Sequence, residues 1–154
     1  MELIYASPSN KAYLRRSEGA AGYDIFAGKA IRIPSSREGT TFNTVNLITV
    51  DTGIRVKIPE GYWGLVKARS SAMKKALEVT GVVDNTYRGV IYLVIKNVGS
   101  QDVILAEDIS VAQLILIKSD DCGGPSRISE KAFNALDKTT RGDGAFGSTG
   151  RAIN

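Results

Sequence analysis

Histidine is absent from this chain of 154 residues, and cysteine occurs once, at Cys122. Without histidine the chain has no Ser-His-Asp triad, no Cys-His dyad and no His-ligated metal site. A single cysteine excludes an intrachain disulfide and a thiolate metal cluster. Any chemistry therefore depends on carboxylates, Lys and Arg, hydroxyls and backbone amides, and a hard cation such as Mg²⁺ is the metal that such oxygen groups favour.

Long apolar segments are missing too. The longest apolar run, Val90–Ile95, is far shorter than the roughly 20 residues of a membrane helix. The first residues contain no apolar core of the secretory type, so we expect a soluble intracellular protein of the cytoplasm or nucleus, with no membrane partner. Twenty basic and sixteen acidic residues give a net charge of +4, which mildly favours anionic ligands but identifies none.

Short segments of alternating polarity, separated by turn residues, dominate the sequence. Ile54, Val56 and Ile58 alternate with charged residues, which is typical of a strand with one wet face. Only Ser70–Ala76 looks helical, with Ser70 as a potential cap. Many short strands at this spacing predict an all-β sandwich, jelly roll or barrel. The other predicted strands are Glu2–Ala6, Ile25–Ile33, Thr44–Val50, Tyr62–Arg69, Leu77–Val83, Gly89–Asn97, Asp102–Leu105 and Ser110–Lys118.

The character of the chain changes after Lys118. A turn-rich break follows at Asp120–Pro125, and the remaining residues are polar with little periodicity. We therefore predict a β domain over residues 1–119 and a flexible C-terminal arm over residues 120–154.

The glycine-rich end of this arm has two interpretations. Glycines let a backbone approach a ligand closely, and hydroxyls and an arginine suit phosphate oxygens. A flexible linker has the same composition. Phe146 favours a binding role, because a lone aromatic among glycines can stack on a flat ligand.

Three further segments each allow a structural and a functional interpretation. Ala68–Ala72 is placed where a strand meets the short helix, so its amides and arginine either cap the helix or bind an anion. Gly81–Gly89 resembles two strands joined at a turn, where Asp84 either shapes the turn or does chemistry. Val90–Ile95 is apolar on both faces, which indicates either a central strand or one packed against other subunits.

Five segments together are more specific than any one of them, and they resemble the five motifs of the trimeric dUTP pyrophosphatases (dUTPases). The resemblance covers roughly residues 18 to 151. It implies an all-β jelly-roll (β-clip) domain with one short helix, in a homotrimer whose C-terminal arm is swapped between subunits to close a neighbour's site. The segments are Ala20–Asp24, Ala68–Ser71, Gly81–Gly89, Val111–Leu114 and Gly144–Gly150.

The implied reaction is hydrolysis of dUTP to dUMP and pyrophosphate, which limits uracil in DNA and supplies dUMP for dTMP synthesis. Asp84 resembles the carboxylate that activates the water attacking the α-phosphate, assisted by Mg²⁺. Tyr87 resembles the residue whose ring packs on deoxyribose and excludes a 2′-hydroxyl. The main chain of Gly81 and Val82 resembles the surface that pairs with uracil. The other substrate contacts implied by the resemblance are Arg69, Ser70, Ser71, Gln113, Arg141, Phe146, Gly147, Ser148 and Thr149.

Within that set, Phe146 resembles the lid over uracil, and Arg141 with Ser148 and Thr149 the γ-phosphate clamp. Asp24 resembles the carboxylate that reaches Mg²⁺ indirectly, through water, while the triphosphate holds most of the metal's coordination. These roles agree with elementary chemistry, because phosphoryl transfer needs alignment, charge neutralisation and a placed water more than covalent help.

The chain departs from the family pattern at several positions. Thr86 stands where the family often has a second acidic residue. Asp108–Ser110 replaces a usual Gly-Asp-Arg, and Asp143 and Ala145 replace small residues of the last motif. The stretch Ser35–Asn46 is longer than typical, as expected of a surface loop.

Three rival functions are weaker. A dCTP deaminase shares the fold but needs a glutamate soon after Arg88–Gly89, where this chain has Val90–Leu93. A non-catalytic nucleotide-binding protein would not be expected to keep Asp84, Tyr87 and Phe146. A nucleic-acid-binding β domain would interleave aromatics along a basic strand face, which this sequence does not, so we expect no nucleic-acid partner.

Overall fold

Strands provide most of the regular structure in the computed structural model, which describes residues 2–35, 47–120, 123–136 and 139. Eight strands form one antiparallel sheet in the order β1-β5-β8-β7-β6-β10-β3-β2, and β4 pairs with β9. This confirms the predicted all-β class. The strands are β1 (Ile4–Ala6), β2 (Tyr13–Arg15), β3 (Tyr23–Phe26), β4 (Ile31–Ile33), β5 (Leu47–Lys57), β6 (Tyr62–Ala68), β7 (Leu77–Val83), β8 (Val90–Asn97), β9 (Val103–Leu105) and β10 (Ala112–Lys118).

The chain divides into two units, Met1–Asp121 and Cys122–Asn154. The described strands and helix α1 (Ser70–Met73) belong to the first unit, and helix α2 (Glu130–Asn134) belongs to the second. Neither helix of the described residues has the length and apolarity required to cross a membrane. That residues 120–154 act as a flexible arm stays a prediction.

Strand β7 changes partner along its length. Its first residues, Leu77–Val79, pair with β8, whereas Thr80–Val83 pair with β6. Strand β8 meanwhile pairs with β5 from Val90 onwards. The predicted pair of strands joined by a turn is therefore present, but the two strands separate before they reach that turn.

Alternating side chains of the strands form the core. In β5 and just beyond it, Ile54, Val56 and Ile58 are all buried, which confirms the alternation seen in the sequence. Complete burial of one such aliphatic side chain contributes roughly 1.5–3 kcal/mol. The largest completely buried apolar side chains are Ile25, Ile33, Ile54, Leu77, Leu93, Ile95 and Leu114.

Strand β8 is central in the sheet, yet the described residues cover only one of its faces. Ile91, Leu93 and Ile95 are buried, whereas Tyr92 is 52% and Val94 is 40% exposed. An apolar strand with an uncovered face is the arrangement expected where a partner covers it. The alternative of a central strand covered on both faces by its own chain is therefore wrong for the described residues.

Two predicted strand boundaries were wrong, and in each case a glycine with positive φ forms a turn or a bulge that the prediction did not include. Ile25–Ile33 is two strands, β3 and β4, separated by a turn at Gly28, whose φ is 65°. Conversely, the predicted strand that ends at Val50 and the alternating segment from Ile54 belong to one strand, β5, since a bulge between Asp51 and Arg55 joins them. At the bulge Gly53 has a φ of 68°, and the buried hydroxyl of Thr52 donates a 2.7 Å hydrogen bond to the carbonyl of Ile91.

The helices also differ from the prediction. Helix α1 ends at Met73 rather than Ala76, because Ala76 adopts a left-handed φ of 56°. Its N-cap is Arg69, which makes no side-chain capping bond, so Ser70 is a helical residue and not the cap. Helix α2 was not predicted; Ser129 caps it by accepting a 3.1 Å hydrogen bond from the amide of Ala132.

A carboxylate just before β9 binds one residue of β4 and one residue that follows β4. The carboxylate of Asp102 accepts a 2.8 Å hydrogen bond from the amide of Ser35 and a 2.6 Å bond from Arg32 Nη2. The Ser35 bonds and the Arg32 guanidinium lower the pKa of Asp102 from 3.8 to about 2. A carboxyl group with a lowered pKa in the folded state stabilises the fold above its unfolded pKa.

We therefore predict that the free energy of unfolding falls as the pH drops through this window, from about 4 towards 2, because Asp102 becomes protonated there. In Asp102→Asn this component of the pH dependence disappears. Urea unfolding of both proteins at about pH 5 and pH 2.5 measures it, with Asp108→Asn as an exposed carboxylate control. An unchanged pH slope in Asp102→Asn would contradict the assignment.

Candidate functional site

The register of β10 brings three of the predicted site segments together. Strand β10 pairs with β3 on one side and β6 on the other, so Gln113 lies opposite both Asp24 and Lys67. Residues directly opposite each other project from the same face of a sheet. Arg69 follows Lys67 by two residues, and its Nε lies 3.0 Å from Asp24 Oδ1.

Arg69 is held from more than one direction. Its Nη1 donates to the carbonyl of Ser110 at 3.3 Å, and its backbone amide donates to the carbonyl of Val111 at 2.9 Å. The ion pair is partly shielded from solvent, since the side chain of Asp24 is 16% exposed and that of Arg69 is 34% exposed. The ion pair and the bond to Ser110 therefore hold the guanidinium of Arg69 in one orientation.

A cavity of about 370 Å³ adjoins this arginine, and Arg69 and Ser71 both line it. Ser70 and Ser71 are exposed at the start of α1. Arg15 and Lys75 also line the cavity, and neither was singled out from the sequence. Arg15 was missed because β2 was not predicted. Strand β2 pairs with β3, the next strand in the chain, and this pairing places Arg15 opposite Asp24.

Glycine at position 22 permits the close approach of the first motif to β10. A Cβ atom on Gly22 would lie 2.9 Å from the carbonyl oxygen of Leu114 and 3.1 Å from Gln113 Oε1. The Leu114 carbonyl is main chain and cannot rotate away as a side chain can. Gly22 is thus the reason that Asp24 and Gln113 share one short stretch of paired strand.

The turn between β7 and β8 holds a second group of predicted residues. The amide of Tyr87 donates to the carbonyl of Asp84 at 3.1 Å, and the hydroxyl of Tyr87 donates to the carbonyl of Val90 at 2.9 Å. Arg88 Nη1 donates to the carbonyls of Asn85 and Tyr87. Asp84 is exposed, and no described residue hydrogen-bonds to its carboxylate or pairs with it. The turn is thus closed by its own bonds while this carboxylate faces solvent.

Beside this turn, the main chain of β7 has an open edge. Gly81 and Val82 lie opposite Val66 and Leu65 of β6, and on their other side no described strand pairs with them. In an antiparallel strand the backbone groups point alternately to the two sides. Some N–H and C=O groups of Thr80–Val83 therefore face the gap between β7 and β8 and have no partner strand among the described residues.

The two groups of residues are separated within one chain. Val83, next to Asp84, lies opposite Gly64, and Arg69 follows Gly64 by five residues, just beyond the end of β6. At about 3.3 Å per residue, roughly 16 Å of extended chain separates the two ends. Asp24, Arg69 and Gln113 are thus brought together, and Asp84 and Tyr87 form a separate group.

The remaining predicted contacts are Arg141, Phe146, Gly147, Ser148 and Thr149, and they lie outside the described residues. No cluster of three His, Cys, Asp or Glu side chains able to hold a metal occurs in the described part of the chain. One oxygen of Asp24 bonds Arg69, and no described residue bonds the other. This arrangement fits a metal held mostly by a ligand's phosphates and by at most one protein carboxylate, which is usual for Mg²⁺.

Comparison with solved structures defines the class of fold. A dUTPase of Staphylococcus bacteriophage 80alpha, bound to dUPNHPP, superposes with a TM-score of 0.78 at 23% identity, covering 97% of this chain and 98% of the other. Native EIAV dUTPase superposes with a TM-score of 0.66 at 23% identity, covering 84% of this chain and 98% of the other. The chain therefore has the predicted jelly-roll fold.

Sequence comparison then defines the family. A family model described as dUTPase matches residues 9–150. A deoxyuridine 5'-triphosphate nucleotidohydrolase of Candida albicans is 33% identical over 153 residues, covering 98% of this chain and 88% of the relative. The Saccharomyces cerevisiae protein of that name is 36% identical over 152 residues, covering 97% of this chain and 94% of the relative. The chain belongs to the dUTPase family.

Proposed function

We propose that this protein hydrolyses dUTP to dUMP and pyrophosphate. The observation that carries the proposal is the turn after β7, where an exposed carboxylate, Asp84, and an aromatic ring, Tyr87, stand beside an open main-chain edge. Family membership supports the same activity, because the named relatives are deoxyuridine 5'-triphosphate nucleotidohydrolases. In the cell such a reaction limits uracil in DNA and supplies dUMP for dTMP synthesis.

Base and sugar are recognised at the open edge of β7. The uracil ring pairs with main-chain groups of Gly81 and Val82, whose donors and acceptors are fixed by the pairing of β7 with β6. Tyr87 packs on the deoxyribose, and its bond to Val90 keeps the ring in place. The strand is held by its pairing with β6, and the ring is held by its hydrogen bond to Val90. Such a surface leaves little room for a ligand that carries an additional group.

The chemical step needs a placed water and neutralised phosphates. Asp84 accepts a proton from a water molecule whose oxygen attacks the α-phosphorus. The bond from that phosphorus to the α–β bridging oxygen breaks, and pyrophosphate leaves. Arg69, Ser70, Ser71 and Gln113 contact the phosphates, and the Asp24–Arg69 ion pair supports this role because it fixes the guanidinium.

A Mg²⁺ ion fits this proposal as a metal that arrives with the triphosphate. Asp24, which is paired with Arg69, would reach the ion through water. When bound, the metal neutralises phosphate charge and orients the triphosphate. A related dUTPase structure from phage phi11 of S. aureus is described in terms of the coordination of a structural Mg(II) ion.

In this proposal the C-terminal residues of a neighbouring subunit complete the site. Phe146 covers uracil, and Arg141, Gly147, Ser148 and Thr149 grip the γ-phosphate. The products no longer link the two contacts, since after hydrolysis the γ-phosphate belongs to pyrophosphate and the uracil to dUMP. Their departure therefore releases the arm and reopens the site.

The separation of the two residue groups supports sites shared between copies, and the resemblance to the trimeric dUTPases makes the proposed assembly a homotrimer. Water activation requires Asp84 and the phosphate contacts to converge on one phosphorus, although roughly 16 Å of extended chain separates them in a single chain. A second copy can supply the missing group. The exposed Tyr92 and Val94 of β8 support such an interface, since burial of apolar surface stabilises association.

Substrate choice tests the proposed activity. We expect pyrophosphate release from dUTP to be far faster than from UTP, dTTP or dCTP in the presence of Mg²⁺, because edge and ring leave no room for a methyl or a 2′-hydroxyl. Steady-state kinetics with the four nucleotides measures this. Comparable turnover of UTP and dUTP would refute the proposal, and release of ammonia from dCTP would favour the deaminase.

The Asp84→Asn variant tests the chemical role. An amide cannot accept the proton, so we expect turnover to fall by roughly 10²–10⁴, the usual contribution of a general base. Nucleotide affinity stays within about tenfold, measured by calorimetry with a non-hydrolysable dUTP analogue. Glu60→Gln, at another exposed turn, is the matched control. Undiminished turnover in Asp84→Asn would place the base elsewhere.

Mixed assembly tests the shared sites. Asp84→Asn and Arg69→Ala homotrimers are each expected to be nearly inactive. Co-refolding of the two variants should restore activity, because some sites then combine an intact Asp84 with an intact Arg69 from another copy. Light scattering checks that each sample is a trimer. Absence of recovery in trimeric mixtures, or a monomeric wild type at micromolar concentration, would refute shared sites.

A further inference from the structure

Gly89 lies directly under the side chain of Tyr87. A Cβ atom added at Gly89 would lie 2.3 Å from Tyr87 Oη, 2.5 Å from Cζ and 2.9 Å from Cε2. Contacts this short are incompatible with van der Waals packing. The observed position of the ring therefore requires that residue 89 has no side chain.

The backbone of Gly89 does not itself demand glycine. Its φ lies outside the left-handed region, unlike that of Gly53 or Gly61. Alanine is therefore compatible with the local main chain, and the conflict is with the tyrosine ring alone. Tyr87 is 42% exposed, so the ring has space to swing outwards without disturbing the core.

Three bonds hold Tyr87, and only one of them involves its ring. The hydroxyl of Tyr87 donates to Val90, its amide donates to Asp84, and its carbonyl accepts a 2.8 Å bond from Arg88. The backbone bonds do not depend on the ring orientation. A displaced ring therefore loses the Val90 bond while the turn and Asp84 keep their conformation.

We propose that Gly89 is a positioning residue for sugar specificity, which seats the Tyr87 ring where it blocks a ribose 2′-hydroxyl. This inference rests on the proposed function, and it assigns to Gly89 no contact with substrate. Gly89 acts through Tyr87 and leaves the base-pairing edge and the carboxylate unchanged. Substitution of Gly89 should therefore change the preference for deoxyribose over ribose more than it changes the rate with dUTP.

The test compares kcat/KM for dUTP and for UTP in wild type and Gly89→Ala. We expect the dUTP preference to fall at least tenfold in the variant, mainly through improved use of UTP, while kcat for dUTP falls less than tenfold. Gly124→Ala is the control, because a Cβ atom there meets no atom within 4 Å. A crystal structure of Gly89→Ala should show the Tyr87 hydroxyl away from the Val90 carbonyl.

A double-mutant cycle separates positioning from a general structural effect. If Gly89 acts only through the ring, Gly89→Ala changes the dUTP preference less than twofold in a Tyr87→Ala background. A further large loss in that background would overturn the inference. Retention of the full preference in the single variant, or failure of that variant to fold, would overturn it too, since the geometry requires only the exposed ring to move.

The wild-type measurement distinguishes this inference from the function on which it rests. No hydrolysis of dUTP by the wild type means that the proposed function fails. A wild type that prefers dUTP, next to a Gly89→Ala variant that prefers it equally, means that only the role of Gly89 fails.

Discussion

The register of β10 with its two neighbours is the constraint on which the proposed phosphate side of the site depends. Gln113 meets Asp24 on one side and Lys67 on the other only because Ala112 and Leu114 point into the core. A slip by one residue would turn the whole set to the opposite face. Core packing and site geometry are therefore one requirement in this part of the sheet.

Because the chain has no histidine, its chemistry depends on carboxylates and cationic side chains. The two candidate carboxylates differ in their surroundings. Asp24 is largely shielded from solvent and forms an ion pair with Arg69. Asp84 is exposed, and no described residue bonds its carboxylate. The first is suited to holding a cation in place, and the second to contacting water. The two local environments thus suit the two separate tasks that we propose for this residue type.

The sequence predicted the all-β class and the family, because alternation and short motifs are local signals. Partner exchange in β7 was not predictable, since pairing depends on residues distant in sequence. Strand β2 and helix α2 are too short for periodicity to show. Gly89 belongs to a recognised motif, but its contact with Tyr87 exists only in three dimensions. The roles of the site residues stay predictions.

The open edge of β7 has an evolutionary consequence. Main-chain donors and acceptors are the same for every residue except proline, so drift of the side chain at Val82, which is 66% exposed, leaves a ligand read by this edge unaffected. Base preference built in this way resists point mutation and changes only when an insertion, a deletion or a proline alters the strand. In the proposed site, sugar preference depends on one ring and one glycine, and is the more readily altered of the two.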